Sequence, residues 1–272
     1  MLELMVQPLV ACLILVGIHA YLGLHVVKRG VIFVDLALAQ VSALGATVAI
    51  LFEYELHSPA AYWFALAFTL VGAAFLSMTR SRNEHVPQEA VIGTVYAVSA
   101  AAAVLVLSRA PEGGEELKAI LVGHLLFVDW SDIAKIFVLY SIVGVVHWFA
   151  RKQLLLISDD PETAIARGMR VRWWDFLFYG TFGIVVTSSV EIAGVLLVFA
   201  MLIIPSLCGI YLARSIPGRL MVAWAVGVAT SVLGLFASYA WDLPTGAAVV
   251  CAFGISLVLC GLAGRLLAPV IK

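Results

Sequence analysis

Residues Arg151 to Trp173 read RKQLLLISDDPETAIARGMRVRW, the one long, strongly charged stretch in a chain that otherwise alternates apolar runs with brief polar breaks. Its centre, Asp160-Pro161-Glu162-Thr163, has the chemistry of a helix start. An Asp N-cap accepts backbone N–H groups left without partners in the first turn, and Pro at the first helical position has no N–H to lose. The helix so opened, ETAIAR, is short and stops at Gly168. A capped helix of about two turns therefore interrupts the apolar sequence, flanked by Arg151, Lys152, Arg167, Arg170 and Arg172. Such an element suits docking of a soluble partner; its plain alternative is an amphipathic loop resting on lipid headgroups.

Outward from this loop the chain is oily. Hydrophobic residues make up 63% and charged residues 12%, with a mean hydropathy of +1.08; a water-soluble globule carries about twice that charged share. Runs of roughly 20 apolar residues, enough to cross a hydrocarbon core of about 30 Å as helix, occur at about Leu4 to Val27, Val31 to Phe52, Ala60 to Thr79, Gln88 to Ser108, Ser131 to Ala150, Trp173 to Val190, Ala193 to Ala213, Leu220 to Tyr239 and Thr245 to Leu267. Nothing alternates as a membrane β-strand would. The expected fold is an all-α polytopic bundle of about nine transmembrane helices. Eight is the count if one of the pair joined near Glu191 is broken or re-entrant. Residues 1–272 read as a single transmembrane domain with a cytoplasmic loop at 151–172.

Lys and Arg in short loops stay on the cytoplasmic side. With nine spans and an external N-terminus, the 16 basic residues divide 13 to 3 in favour of the cytoplasm, only Arg109, Lys118 and Lys135 falling outside. The expected topology is N-out and C-in, in the plasma (inner) membrane. The first apolar run lacks a basic n-region and a small-residue cleavage pattern, so it reads as a retained span. Cys12, Cys208, Cys251 and Cys260 lie in apolar helices without C-x-x-C spacing, and they read as apolar filler. Glycines and alanines recur through the spans at packing spacing, as close helix contact in lipid requires. No phosphate-binding GxxxxGK[ST] loop is present, so any ATP used must be hydrolysed by another chain.

Four ordered stretches then carry a family likeness: LGLHVVKRGVIFVDLALAQVSALG, DDPETAIARGMRV, VEIAGVLLVFAMLIIPSLCGIYLA and SYAWDLPTGAAVV. Together they resemble the permease subunits of the zinc, manganese and iron ABC importers, over about Gly23 to Leu267. Glu89, in QEAVIGTVYA, stands where that family tends to carry an acidic residue. The resemblance implies a homodimeric channel similar in fold to the vitamin B12 type importers. It also implies two partner ATPase subunits, an extracellular or periplasmic metal-binding protein, and no cofactor on this chain, ATP being used by the partner. Asp160, Pro161, Glu162, Ala164 and Gly168 would then form the coupling helix that meets the ATPase.

The sequence departs from the family in the second span. Where members carry G-D-x-x-x-H, this chain reads Asp35-Leu36-Ala37-Leu38-Ala39-Gln40, which moves the carboxylate about 100° around the helix and replaces an imidazole with an amide, a poorer zinc ligand. If the first helix runs inward and the second outward, His19 and Gln40 fall at similar depth. His19, Asp35 and Gln40 are then candidate contacts for a partly hydrated Mn²⁺ or Fe²⁺, because intramembrane ionisable groups are functional by default. The structural alternative pairs Asp35 with His25 or Lys28, and His19 with Gln40. His25 and Glu89 read as near the cytoplasmic interface, Glu89 as a gate contact. His57, His85, His124 and His147 read as loop or span-end residues.

Pro205 removes a hydrogen bond from its helix and is a candidate gate hinge, or a packing kink. Asp242 either caps the last helix or leaves that to Thr245. Two other function classes fit less well. An ion-coupled secondary carrier of a solute or metal chelate would need an inverted repeat and broken helices, and no convincing repeat is visible. An intramembrane enzyme would need paired catalytic groups within a span, which are missing.

Overall fold

A computed structural model describes residues 2–55, 58–79, 87–108 and 123–267. Among them every regular element is helical: α1 (Leu2–Arg29), α2 (Val34–Ile50), α3 (Pro59–Thr79), α4 (Gln88–Leu107), a 3₁₀ turn (Leu125–Phe127), α5 (Trp130–Asp159), α6 (Pro161–Ala166), α7 (Val171–Leu212), α8 (Ile216–Trp241) and α9 (Thr245–Leu267). The all-α membrane fold expected from hydropathy is therefore present. Among the described residues seven helices are long and apolar enough to cross a bilayer, and α2 is a shorter apolar helix.

The 42 residues of α7 would run about 63 Å as one rod, twice the hydrocarbon thickness. Gly194 breaks it, with φ 73° and ψ 160°, a conformation open to glycine because no Cβ obstructs it. The halves, 171–193 and 195–212, correspond to the two closely joined spans expected around Glu191. The junction lies three residues further on, where glycine first permits it.

The chain divides into two compact units, one of residues 1–27, 122–141 and 192–272, the other of residues 28–121 and 142–191. In the first, α8 and α9 form an antiparallel pair, and a Cβ on Gly234 would lie 2.6 Å from the Val249 Cα. Helix α1 packs equally tightly: a Cβ on Gly23 would meet the Leu202 carbonyl oxygen at 2.0 Å, and the Trp224 indole N–H donates to the Gly17 carbonyl at 3.0 Å. Asp242 sits in the left-handed region at φ 51° as the C-cap of α8, so it ends that helix rather than starting the last one. The Ser238 and Thr245 hydroxyls, 3.0 Å apart, join the two helices there.

In the second unit α2 packs between α3 and α4 and is buried along most of its length. At 17 residues it covers about 25 Å, shorter than the Val31 to Phe52 run, because Gly30 turns the chain at φ 66° and α2 begins only at Val34. A Cβ on Gly45 would lie 2.7 Å from the Phe64 carbonyl oxygen, which sets how closely α3 approaches.

Helix α5 corrects a boundary. It continues through Asp159 rather than stopping near Ala150, so Arg151 and Lys152 belong to a helix. The link between α5 and α7 is thereby shortened from 151–172 to 160–170. Of the residues behind the charge count, Arg80, Arg82, Arg109, Lys118 and Lys272 lie outside the described residues, as do His57 and His85.

Candidate functional site

The element announced by DDPETAIARG is α6, and both its ends are closed as the sequence suggests. Asp160 is the N-cap, its Oδ1 accepting the Thr163 backbone N–H at 2.9 Å and its Oδ2 the Thr163 hydroxyl. The hydroxyl first, then the backbone N–H, hold the Asp160 carboxyl below its ordinary value, since both bonds favour the charged form. Pro161 follows at the first helical position. At the other end Gly168 adopts φ 75°, its N–H reaching the Ile165 carbonyl at 2.9 Å while the Met169 N–H reaches that of Ala164 at 3.1 Å. This pair of bonds is a Schellman closure, and its left-handed residue is ordinarily glycine. Ala164 is fully buried, whereas Glu162, Arg167 and Gly168 are exposed. One side of the helix is thus seated and the other open to a partner.

What holds the helix ends on either side of it was not legible beforehand. The end of α1 supplies two cations: Lys28 pairs with Asp159, and Arg29, whose side chain is 1% exposed, lies 2.6 Å from Asp175, 0% exposed. The Arg29 Nε donates to the Ser158 hydroxyl at 2.9 Å, and its guanidinium stacks over Phe178, 4.1 Å from the ring centroid. Arg29 had been counted only as a topology marker, Lys28 as a topology marker and as an alternative partner of Asp35, and Asp175, inside an apolar run, was not singled out. The available signal was a carboxylate within a span, which has to find a cation.

His147 is a second correction. It is buried within α5, not placed in a loop or at a span end, and its Nε2 lies 2.8 Å from the Thr181 hydroxyl. Thr181 already donates to the Leu177 carbonyl at 2.7 Å, so the imidazole N–H is the donor. Continuation of α5 past Ala150 accounts for the error.

Among the pathway candidates, Asp35 is 1% exposed, and neither carboxylate oxygen has a hydrogen-bond partner among the described residues. Lys28, one of its two suggested partners, is engaged by Asp159 instead. Gln40 is buried on the same helix; five residues further on, it stands about 140° around α2 from Asp35, so the two address different faces. His19 is fully buried in the other compact unit. Its Nδ1–H donates to the Leu15 carbonyl at 2.7 Å, which leaves Nε2 with its lone pair and no partner among the described residues. His25 is buried with its ring 4.9 Å from that of Tyr21. Among the described residues no three His, Cys, Asp or Glu side chains assemble into a metal-holding group.

Glu89 Oε1 accepts the Phe33 backbone N–H at 3.0 Å, where Phe33, the N-cap of α2, has no side-chain cap to offer. Pro205 is buried in the second half of α7, and the one non-helical backbone position within α7 is Gly194, not Pro205. Beside Pro205 the Ser206 hydroxyl bonds the Leu202 carbonyl at 2.8 Å. At the Gly194 break, the His124 N–H donates to the Ile192 carbonyl at 3.1 Å, and Gly123, at φ 68°, approaches so closely that a Cβ would sit 2.3 Å from the Gly194 nitrogen. The apolar sequence around Gly123 gave no hint of this contact.

A multi-pass helical bundle with buried ionisable groups in its spans and a separately capped helix between two of them is the architecture of a membrane transport subunit. The chain belongs to the ABC 3 transport family, whose model matches residues 1–263. It is 28% identical over 251 residues to a protein of Haemophilus influenzae named "Probable iron transport system membrane protein", covering 91% of this chain and 89% of that one. It is 27% identical over 234 residues to the "Manganese transport system membrane protein MntC" of Listeria innocua, covering 86% and 81%. In fold it resembles a chain of "PsaBC from Streptococcus pneumoniae in complex with Fab", with a TM-score of 0.77, 22% identity and coverage of 93% and 89%.

Proposed function

We propose that this chain is the channel subunit of an ATP-driven importer of divalent transition metal ions, Mn²⁺, Zn²⁺ or Fe²⁺. In this reading two copies form the conduit, a separate ATPase docks on α6, and an extracellular metal-binding protein delivers the cargo. The N-terminus lies outside and the C-terminus inside, in the plasma membrane. The chain holds no ATPase site and no cofactor. Relatives named for iron and manganese transport support the cargo class.

The observation that carries the reading is Asp35, a carboxylate buried in an apolar helical bundle with both oxygens unpartnered among the described residues. Removing a charge from water costs several kcal/mol unless it is compensated, and a passing cation supplies that compensation transiently. Taken each by itself, the Nε2 of His19, unpartnered among the described residues, and the amide of Gln40 are further buried donors of a kind suited to Mn²⁺ or Fe²⁺. Transit calls for ligands weak enough to release the ion, so a closed cage of the structural type is not required. Glu89 and Pro205 are assigned to the gate, the first by holding the start of α2, the second by the hydrogen bond that α7 lacks there.

The break at Gly194 also favours a second reading, ion-coupled carriage without ATP, because broken helices line such carriers. One experiment addresses both. The chain is reconstituted with its ATPase in proteoliposomes, and uptake of labelled Mn²⁺, Zn²⁺ and Fe²⁺ is followed with and without ATP, before and after Asp35→Ala. ATP-dependent uptake that drops at least tenfold in the variant supports the assignment. Unchanged uptake removes Asp35 from the pathway, and uptake driven by an ion gradient without ATP favours the carrier.

A further inference from the structure

Lys28 and Arg29 end α1, and their partners bracket α6. Ser158 and Asp159 close α5 immediately before the Asp160 cap, and Asp175 lies in the second turn of α7, five residues past Arg170. A single guanidinium therefore touches the helix on each side of the 160–170 segment: 2.9 Å to the Ser158 hydroxyl and 2.6 Å to the Asp175 carboxylate, with its face on Phe178. Ser158 is itself fixed, its hydroxyl donating to the Leu154 carbonyl at 2.8 Å.

Burying this pair is not explained by stability alone, because an apolar pair of similar volume is often as stable as a buried ion pair, or more so. Its distinguishing property is direction. Charge-assisted bonds in a planar fork fix orientation where apolar packing allows sliding. One Arg29 nitrogen, Nη2, is buried without a partner among the described residues, a further cost that a purely stabilising contact would not need.

We propose that Arg29 is the positioning residue that clasps the two helix ends flanking α6 and carries displacement of α6 into α1. The proposal rests on the reading of α6 as the ATPase-docking element. Movement of α6 against a partner would move Ser158 and Asp175 together, and the clasp would pull the end of α1 with them rather than letting the loop flex alone.

The test uses the full chain in two settings. With the partner ATPase in proteoliposomes, Mn²⁺ moved per ATP hydrolysed is measured for wild type, Arg29→Lys and the double variant Arg29→Met with Asp175→Leu. In detergent, amide exchange of residues 160–170 is measured for the same proteins. The double variant is expected to keep its fold and its ATP hydrolysis, to lose at least tenfold in Mn²⁺ per ATP, and to exchange at least tenfold faster across 160–170. Lysine can reach Asp175 but cannot hold Ser158 at the same time, so Arg29→Lys should fall at least threefold in Mn²⁺ per ATP.

An unchanged Mn²⁺ to ATP ratio in the double variant overturns the proposal. If that variant does not fold, an unchanged ratio in Arg29→Lys overturns it. If wild type moves no Mn²⁺ at all, the transport reading fails separately, and the exchange measurement decides the clasp: protection of 160–170 equal to wild type refutes it.

Discussion

The Glu89 carboxylate accepts the Phe33 backbone N–H at 3.0 Å, so the first turn of α2 is closed by a side chain from α4. Helix starts leave backbone donors unpaired, and a residue elsewhere in the fold can supply the acceptor. Glu89→Ala should destabilise the folded protein by about 1–2 kcal/mol, whereas Glu89→Gln, which keeps an acceptor, should lose less. Thermal unfolding of the detergent-solubilised protein measures the difference, and equal losses would show that the hydrogen bond is not what Glu89 contributes.

Gly23 and Gly17 share α1 but differ in what surrounds them. A Cβ at Gly23 meets the Leu202 carbonyl oxygen at 2.0 Å and the Ser206 hydroxyl at 2.3 Å, while one at Gly17 meets nothing within 4 Å. Gly23→Ala should force backbone apart and cost about 1–3 kcal/mol. Gly17→Ala should be neutral, or stabilising by up to about 1 kcal/mol through helix propensity. Unfolding of the two variants side by side checks the contrast.

Asp160 gives α6 a pH dependence whose sign follows from its hydrogen bonds. The folded carboxyl is held below the ordinary value of 3.8, chiefly by the Thr163 hydroxyl and N–H. A depressed carboxyl contributes order that is complete above its unfolded value and lost as pH falls through its folded value. Amide protection of 163–166, corrected for the intrinsic pH dependence of exchange, should therefore hold at pH 7 and decline only below 3.8. Asp160→Asn should keep much of the protection, since Asn caps well, while losing the pH dependence. Asp160→Ala should lose both.

How much of this could be read in the sequence depends on how local each signal was. The Asp160-Pro161 start and the Gly168 stop of α6 lie within ten residues of chain, and their chemistry is complete there. Runs of apolar residues gave the helices because lipid leaves the backbone few other ways to satisfy its hydrogen bonds. Boundaries were harder. Nothing in hydropathy separates Ala150 from Asp159 when Arg151 and Lys152 sit on exposed helix turns, and His147 was consequently assigned to a span end. The partners of Arg29 lie 129 and 146 residues away, beyond any periodic pattern. Asp35 was singled out as an intramembrane acid, and it is buried on α2. That Lys28 would choose Asp159 over it could not be read from one chain without coordinates.

In the proposed function the conduit is worked from outside itself through α6. The most direct measurement is Mn²⁺ flux into proteoliposomes containing the chain alone, the chain with its ATPase and ATP, and the same complex with residues 160–168 scrambled. Flux is expected in the second alone, with the scrambled protein still folded and membrane-inserted. Full-rate flux from the purified chain without any nucleotide-hydrolysing partner, or undiminished ATP-driven flux through the scrambled complex, would contradict it.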